Sequence, residues 1–77
     1  MDDIPIMFEH NGETYKGRFS SVYGTGQNEW HLMDDKNFYR GTLRMNKDQW
    51  VFDPTPKTQE LSDLADFFGE YLIAWHE

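Results

Sequence analysis

The fold of this chain is decided at residues 4–19, which read IPIMFEHNGETYKGRF. Apolar and other side chains alternate along residues 4–8, which is the period of a strand with one buried face. Asn11-Gly12 then predicts a two-residue type I′ turn, because both central positions of that turn need positive φ. Such a turn fixes the register, and the predicted opposite residues are His10 and Glu13, Phe8 and Tyr15, Ile6 and Gly17, and Ile4 and Phe19. Turn and alternation agree, so they predict a β-hairpin with an apolar inner face.

After this hairpin, the alternation of apolar and polar residues up to residue 53 predicts three more strands. The second strand covers about residues 14–23, and residues 24–28 form a loop rich in glycine. The later strands cover residues 29–33, 38–45 and 49–53, joined by short polar turns. The sequence therefore predicts an antiparallel meander of about five strands.

Even-length loops predict the register of the later strands. They place Leu32 opposite Tyr39 and Trp30 opposite Gly41. By the same argument, Trp50 and Phe52 lie on the side of Leu43 and Met45. The inner face of this part of the sheet is then mostly aromatic and aliphatic.

Two glycines fall on the predicted inner face beside large residues. A glycine within a strand marks a bend, a bulge or a place where a neighbouring ring covers the backbone. We interpret Gly17 and Gly41 as packing glycines of the last kind. They also indicate a strongly curled sheet, so a partly closed, SH3-like barrel is an alternative to an open meander.

The last part of the chain predicts one amphipathic helix over about residues 56–76. Pro54 and Pro56 end the sheet, because proline has no N–H for a strand ladder. Thr55 is a candidate N-cap with Pro56 at the first helical position, and Thr58 is a second candidate. Ile73 is an apolar residue near the polar side. The apolar face is formed at helical spacing by Leu61, Leu64, Ala65, Phe68, Leu72 and Trp75.

Size and composition restrict the chain to one hydrophobic core, since 77 residues are too few for two domains. There is no cysteine, so disulfides and thiolate zinc sites are excluded as supports. Six Phe, four Tyr and three Trp supply apolar surface instead. We predict a single α+β domain over residues 1–77, with the meander packed against the C-terminal helix.

The charge balance restricts the partners. Seven Lys and Arg stand against fourteen Asp and Glu, giving a net charge of −7. This charge disfavours duplex DNA or an anionic membrane as a partner of the whole surface. No apolar segment follows the acidic residues 1–3, so neither a secretory signal nor a membrane span is predicted, and the cytoplasm is the expected location.

No set of residues predicts catalysis or metal binding. Ser20, Ser21 and Ser62 lie in no recognisable nucleophile motif. His10 and Glu13 should lie side by side across the turn, but two ligands do not complete a metal site. The glycines of residues 24–26 precede a strand and not a helix, so they lack the geometry of a phosphate loop. The chain is expected to be no enzyme and to carry no cofactor.

The outer face of the sheet, which points away from the helix, is the candidate binding surface. It is predicted to hold four of the seven Lys and Arg, interleaved with Met and Phe, and such side chains are enriched at interfaces. Glu9 and Glu29 share this face and can pair with Lys16 and Arg40 across strands, so a solvated face with ion pairs is the alternative explanation. The candidate residues are Lys16, Arg18, His31, Met33, Phe38, Arg40 and Arg44, with Met7 and Val51 beside them.

Two functions follow as hypotheses. The first is a non-catalytic module that contacts a protein partner, or a second copy of itself, through the outer face. The second is a binder of single-stranded nucleic acid or another polyanion through the same cations and rings. Separately, Asp63, Asp66 and Glu70 form an acidic stripe on the helix, which is either a solvated face or a site for a basic partner.

Overall fold

A computed structural model describes residues 3–22 and 28–76. Five antiparallel strands follow the order of the chain and curl into a half-barrel that packs with one C-terminal helix. This confirms the predicted α+β class and shows that the sheet is strongly curled. The predicted loop lies outside the described residues except for Asn28. The strands are β1 (Asp3–His10), β2 (Glu13–Ser21), β3 (Glu29–Asp34), β4 (Tyr39–Asn46) and β5 (Gln49–Pro54).

The first hairpin has the predicted turn and register. Asn11 and Gly12 have φ values of 53° and 80°, as a type I′ turn requires. His10 lies opposite Glu13, and the three other predicted pairs also match. Ile4, Ile6 and Phe8 are buried while the residues between them are exposed. Turn chemistry and alternation were therefore sufficient to determine this hairpin.

The predicted register between β3 and β4 is wrong. Leu32 lies opposite Gly41 and Met33 opposite Tyr39, so Arg40 is an extra residue in β4 and forms a β-bulge. Gly41 makes the bulge possible, because its φ of 145° is strained for any residue with a side chain. A Cβ there would lie 2.4 Å from the Phe52 ring. Gly41 is thus covered by a ring, as predicted, but it also marks a bulge.

The register between β4 and β5 agrees with the prediction. Leu43 lies opposite Phe52, and Met45 lies opposite Trp50. The connecting turn has two residues, Lys47 and Asp48, and both have positive φ values, 50° and 66°. This turn therefore has type I′ geometry without the Asn-Gly sequence that usually indicates it.

The C-terminal helix begins later than predicted. A 3₁₀ helix spans Gln59–Leu64, and α1 spans Ala65–His76. Residues 55–58 form a turn in which the N–H of Thr58 donates to the carbonyl of Thr55 at 3.0 Å. The Thr58 hydroxyl donates to the Arg40 carbonyl at 2.7 Å and so does not cap the helix with its side chain. Thr58 occupies the N-cap position of the 3₁₀ helix but makes no capping hydrogen bond through its side chain.

The hydrophobic core lies between the concave face of the sheet and the helices. Phe68 of α1 is at its centre and is fully buried. Its ring meets those of Phe8, Phe19 and Phe52 edge-on at centroid distances of 5.1–5.3 Å. Edge-to-face pairs of this kind are worth about 0.5–1.5 kcal/mol beyond area burial. The core comprises Ile4, Ile6, Phe8, Phe19, Trp30, Leu32, Leu43, Phe52, Leu61, Phe68 and Leu72.

Replacing Gly69 with alanine should destabilise the domain, although the same change stabilises an ordinary helix by up to about 1 kcal/mol. An added Cβ would lie 2.1 Å from Cδ1 of Trp50. Overpacking of this kind costs roughly 1–3 kcal/mol, which urea unfolding would measure for Gly69→Ala. The control is Glu70→Ala, at the neighbouring and exposed position of α1. A Gly69→Ala variant as stable as this control would contradict the close helix–sheet packing.

Candidate functional site on the outer sheet face

The structure keeps five of the seven candidate residues on the outer face. Met7, Lys16 and Arg18 are placed there by the strand alternation of the first hairpin. Met33 lies beside Arg18, and the next row places His31 opposite Thr42. Arg44 lies two rows away, opposite Glu29 and Val51. The candidates that do not lie on this face are Phe38 and Arg40.

Arg40 leaves the outer face because it is the bulged residue. Its Nη2 and Nε donate to Oδ2 of Asp34 at 2.6 and 3.1 Å. Asp34 lies in the inner row with Ile6 and Gly17, so Arg40 lies at the inner rim of the half-barrel. The prediction is therefore wrong for Arg40, which lies on the inner side of the sheet and not on the outer face. A one-residue bulge reverses the side on which the neighbouring side chains lie.

Phe38 leaves the outer face because it belongs to the turn before β4. Its carbonyl accepts from the N–H of Asp34, and its own N–H donates to Oδ1 of Asp34 at 2.9 Å. Its side chain is 61% exposed and lines a shallow groove with Pro56 and Lys57. Phe38 is thus a rim residue beside the segment that leads into the 3₁₀ helix.

Asp34 organises this rim. Oδ1 accepts the N–H groups of Lys36 and Phe38, and Oδ2 accepts the guanidinium of Arg40. The N–H of Phe38 above all, assisted by Arg40 and the N–H of Lys36, holds the pKa of Asp34 below its ordinary value of 3.8. The carboxylate is therefore a structural anchor that fixes both the turn and the bulge.

Tyr39 lies opposite Met33, the place on the outer face that the predicted register gave to Phe38. Its ring packs edge-on against His31 at a centroid distance of 5.2 Å, and its hydroxyl shares a hydrogen bond with Thr42. Thr42 is only 8% exposed as a result. The prediction missed Tyr39, although Gly41 was a signal for the bulge that brings it there.

Five contiguous outer side chains form what we call the outer band. Arg18, Met33 and Tyr39 lie in one row, and Met7 and Lys16 lie in the adjacent row. The Met7 side chain is 67% exposed and that of Tyr39 is 46% exposed. The outer band thus combines two cations with three apolar or aromatic side chains at the surface.

The cations of this face differ in how far their charge is already neutralised. Arg18 donates to Oδ1 of Asn37 at 2.5 Å and lies 3.8 Å from the Asp3 carboxylate. Arg44 forms an ion pair with Asp53 at 3.1 Å. Lys16 has no ion-pair partner among residues 3–22 and 28–76, so the pairings predicted for Glu9 and Glu29 with Lys16 and Arg40 are not formed there. Lys16 is the cation of the outer band that is most available to a partner.

A second candidate is a pocket of about 300 Å³ at the end of the half-barrel, between the first hairpin and the 3₁₀ helix. Several of its polar groups are bonded to one another. Tyr15 donates its hydroxyl to Glu60 at 2.9 Å and to Glu13 at 3.2 Å, and Arg40 is held by Asp34. His10 bonds the Glu60 carbonyl at 3.0 Å. These contacts join the first hairpin to the 3₁₀ helix at this end of the core.

The described residues contain no further candidate for a metal site or a membrane-spanning helix. Within the described residues, no three His, Asp or Glu side chains are grouped so that they could hold a metal ion. In the same part of the chain, no helix has the length and apolarity that a bilayer crossing needs.

Comparison with protein-family models, curated proteins and solved structures finds no match for this chain. The function is therefore argued from the geometry alone.

Removing the Asp34 side chain should lower the midpoint of thermal unfolding, since Asp34→Ala frees two main-chain N–H groups and Arg40. The pKa of Asp34 is lowered in the fold, so its contribution is complete above pH 3.8 and is lost as the pH falls below that value. Thermal melts from pH 7 to pH 2 should therefore converge for Asp34→Ala and wild type. Asp35→Ala, at an exposed neighbouring position, should melt like wild type throughout. If the unfolding midpoints of Asp34→Ala and wild type differed by the same amount at every pH, the Asp34 carboxylate would not be the structural anchor.

Tyr15 should ionise later than an ordinary tyrosine, because burial and the Glu60 and Glu13 carboxylates raise its pKa from 10.0 to about 12. The neutral phenol is favoured in the fold, so its stabilising contribution is complete below pH 10 and is lost as the pH rises towards 12. Titration of tyrosinate absorbance should show a late transition that Tyr15→Phe removes and that Glu60→Gln moves to lower pH. Glu70→Gln on the exposed side of α1 is the control. If the wild-type protein showed no tyrosinate transition at high pH, the hydrogen bond from Tyr15 to Glu60 would be contradicted.

Proposed function

We propose that this domain is a non-catalytic protein-interaction module that docks its partner on the outer band. The observation that carries the proposal is the exposed Met7 side chain beside Lys16, a cation without an ion-pair partner among the described residues. The complementary surface on the partner presents apolar side chains next to carboxylates. The proposal includes the cytoplasm as the place of action, in keeping with a chain that has no cysteine.

The composition of the outer band supports docking over plain solvation. Methionine, aromatic residues and arginine are enriched in the cores of interfaces, and the band contains all three. Met7 and Met33 have unbranched, polarisable side chains that adapt to the shape of a partner. Tyr39 is held by His31 and Thr42, so it offers a fixed ring at little entropic cost. A solvated sheet face has no need of such a combination.

The charges of the face favour a protein over single-stranded nucleic acid. A nucleic-acid site needs a line of cations that follows the phosphates. Arg40 is bound to Asp34 at the inner rim, and Arg44 is paired with Asp53 far from the outer band. Lys16 and Arg18 alone suit one or two carboxylates better than a phosphate chain.

The double variant Met7→Ser/Lys16→Glu should weaken capture of the partner about tenfold or more, since it removes the exposed apolar anchor and reverses the free charge. The measurement is retention of labelled proteins on the immobilised domain, followed by titration of the retained protein against each variant. Lys47→Glu reverses a charge in the β4–β5 turn, away from the outer band, and is the matched control.

Three results would contradict the outer band as the docking surface. The double variant could retain the same protein with unchanged affinity, or Lys47→Glu could weaken it equally. Alternatively, the domain could bind mixed oligonucleotides with an affinity that falls steeply with salt, as phosphate contacts require. Sedimentation of wild type and double variant distinguishes a second copy from a different protein as the partner.

A further inference from the structure

The free edge of β1 is a second surface, distinct from the outer band. β1 is the first strand in the order of the sheet, so one of its edges has no neighbouring strand. In a hairpin with a two-residue turn, the residues beside the turn exchange both main-chain hydrogen bonds. His10 therefore bonds to β2, as do Phe8 and Ile6, and the residues between them direct their main-chain groups to the free edge.

Two features of Pro5 agree with this assignment of the free edge. Proline has no N–H and is tolerated where that group would face away from the ladder. The Pro5 carbonyl accepts the hydroxyl of Tyr71, which belongs to α1 and not to β2. Part of the edge is therefore already closed by the chain itself.

Residues 7 and 9 leave the rest of the edge unpaired. The N–H and carbonyl groups of Met7 and Glu9 have no hydrogen-bond partner within the described residues. Four main-chain groups in register can pair with an added strand, which is how extended peptides bind to the edge of a sheet. The edge thus has the hydrogen-bonding capacity of a short docking site.

The helix beside this edge presents an aromatic stripe. Phe67, Tyr71 and Trp75 follow one another at four-residue spacing and so share one side of α1. Phe67 packs edge-on against Phe8 and remains 44% exposed, and Trp75 stacks on Tyr71 and remains 52% exposed. α1 itself lies closest to β5 and β4. The Phe67–Phe8 contact and the hydrogen bond from Tyr71 to Pro5 place the stripe beside the β1 edge, with part of its apolar surface uncovered.

The charge around the edge identifies the kind of segment that fits. β1, the 3₁₀ helix and α1 contain no Lys or Arg, whereas Glu9, Asp63, Asp66 and Glu70 are all exposed. A second copy of β1 would bring only further carboxylates to this edge, and each chain carries a net charge of −7. A segment with cations is complementary, and a second copy is not.

We propose that the edge at residues 7–9 accepts, as a sixth strand, an extended segment of another protein in which apolar residues alternate with Lys or Arg. The main-chain groups of Met7 and Glu9 hold the backbone of the segment. Its apolar side chains lie on Phe67 and Tyr71, and its cations, which point to the opposite face of the strand, lie near Glu9. This site uses main-chain groups and α1, so it can exist with or without docking on the outer band.

The test uses the whole chain with two synthetic peptides, one alternating Val with Lys and the other alternating Val with Glu. Amide hydrogen exchange of Met7 and Glu9 should be fast in the free domain and slow by about tenfold or more with the lysine peptide, since paired amides exchange only on opening. The glutamate peptide should leave both rates unchanged. Protection that grows with domain concentration alone would show that a second copy occupies the edge and would overturn the proposal.

Matched variants separate the contribution of the main-chain N–H of residue 9 from that of its carboxylate. Glu9→Gln keeps the N–H and should weaken lysine-peptide binding a few-fold, whereas Glu9→Pro removes that donor and should abolish measurable binding. Phe67→Ala should also weaken binding, and Ile73→Ala, at another exposed position of α1, should not. Equal binding by Glu9→Pro and Glu9→Gln would overturn the proposal. Should Glu9→Pro fail to fold, unchanged binding by Phe67→Ala together with unprotected amides would overturn it as well.

The two proposals fail independently. Met7→Ser/Lys16→Glu keeps both main-chain amides, so it should leave lysine-peptide binding to the edge intact even where it abolishes docking on the outer band. Loss of edge binding in that variant would show that the two surfaces are one site and would overturn the edge as a separate one.

Discussion

The ring of Phe68 is the contact on which the structure depends. One side chain of α1 meets rings from β1, β2 and β5 edge-on, so it joins the first, second and last strands of the sheet. A curled sheet of five strands leaves its concave face exposed unless a single element reaches strands at both ends. In a chain without disulfides, this aromatic cluster provides the cross-link that a small domain otherwise lacks.

The bulge at Arg40 is the second constraint, and it determines which side chains lie on the outer face. By adding one residue to β4, it moves Tyr39 to the convex face and Arg40 to the inner rim. The rim gains an ion pair that fixes the turn, and the convex face gains a ring supported by His31. The same irregularity therefore fixes the end of the core and removes one predicted cation, Arg40, from the outer face.

The sequence predicted those features that depend on local chemistry. The Asn11-Gly12 turn, the alternation of β1 and the burial of Phe19 and Phe68 required only the period of the strand or helix and the turn preference. The register of β4 was wrong because a bulge depends on how Phe52 and Asp34 accommodate Gly41 and Arg40, and strand alternation and turn preference do not reveal those contacts. The helix start was wrong because Thr58 bonds a carbonyl of β4, which its cap propensity does not reveal. Three of the seven candidate residues form part of the outer band, namely Lys16, Arg18 and Met33, and the edge of β1 was signalled only by Pro5.

The hydrogen bond between Tyr71 and Pro5 joins residues that are far apart along the chain, and so does the one between His10 and the Glu60 carbonyl. During synthesis, the first hairpin leaves the ribosome well before either partner exists. Its apolar face and its strand edge then remain uncovered until the helix has been made. Contacts between such distant residues are slow to form, and exposed strand edges are prone to aggregate. The first hairpin is therefore most exposed to aggregation before α1 has emerged and packed on it.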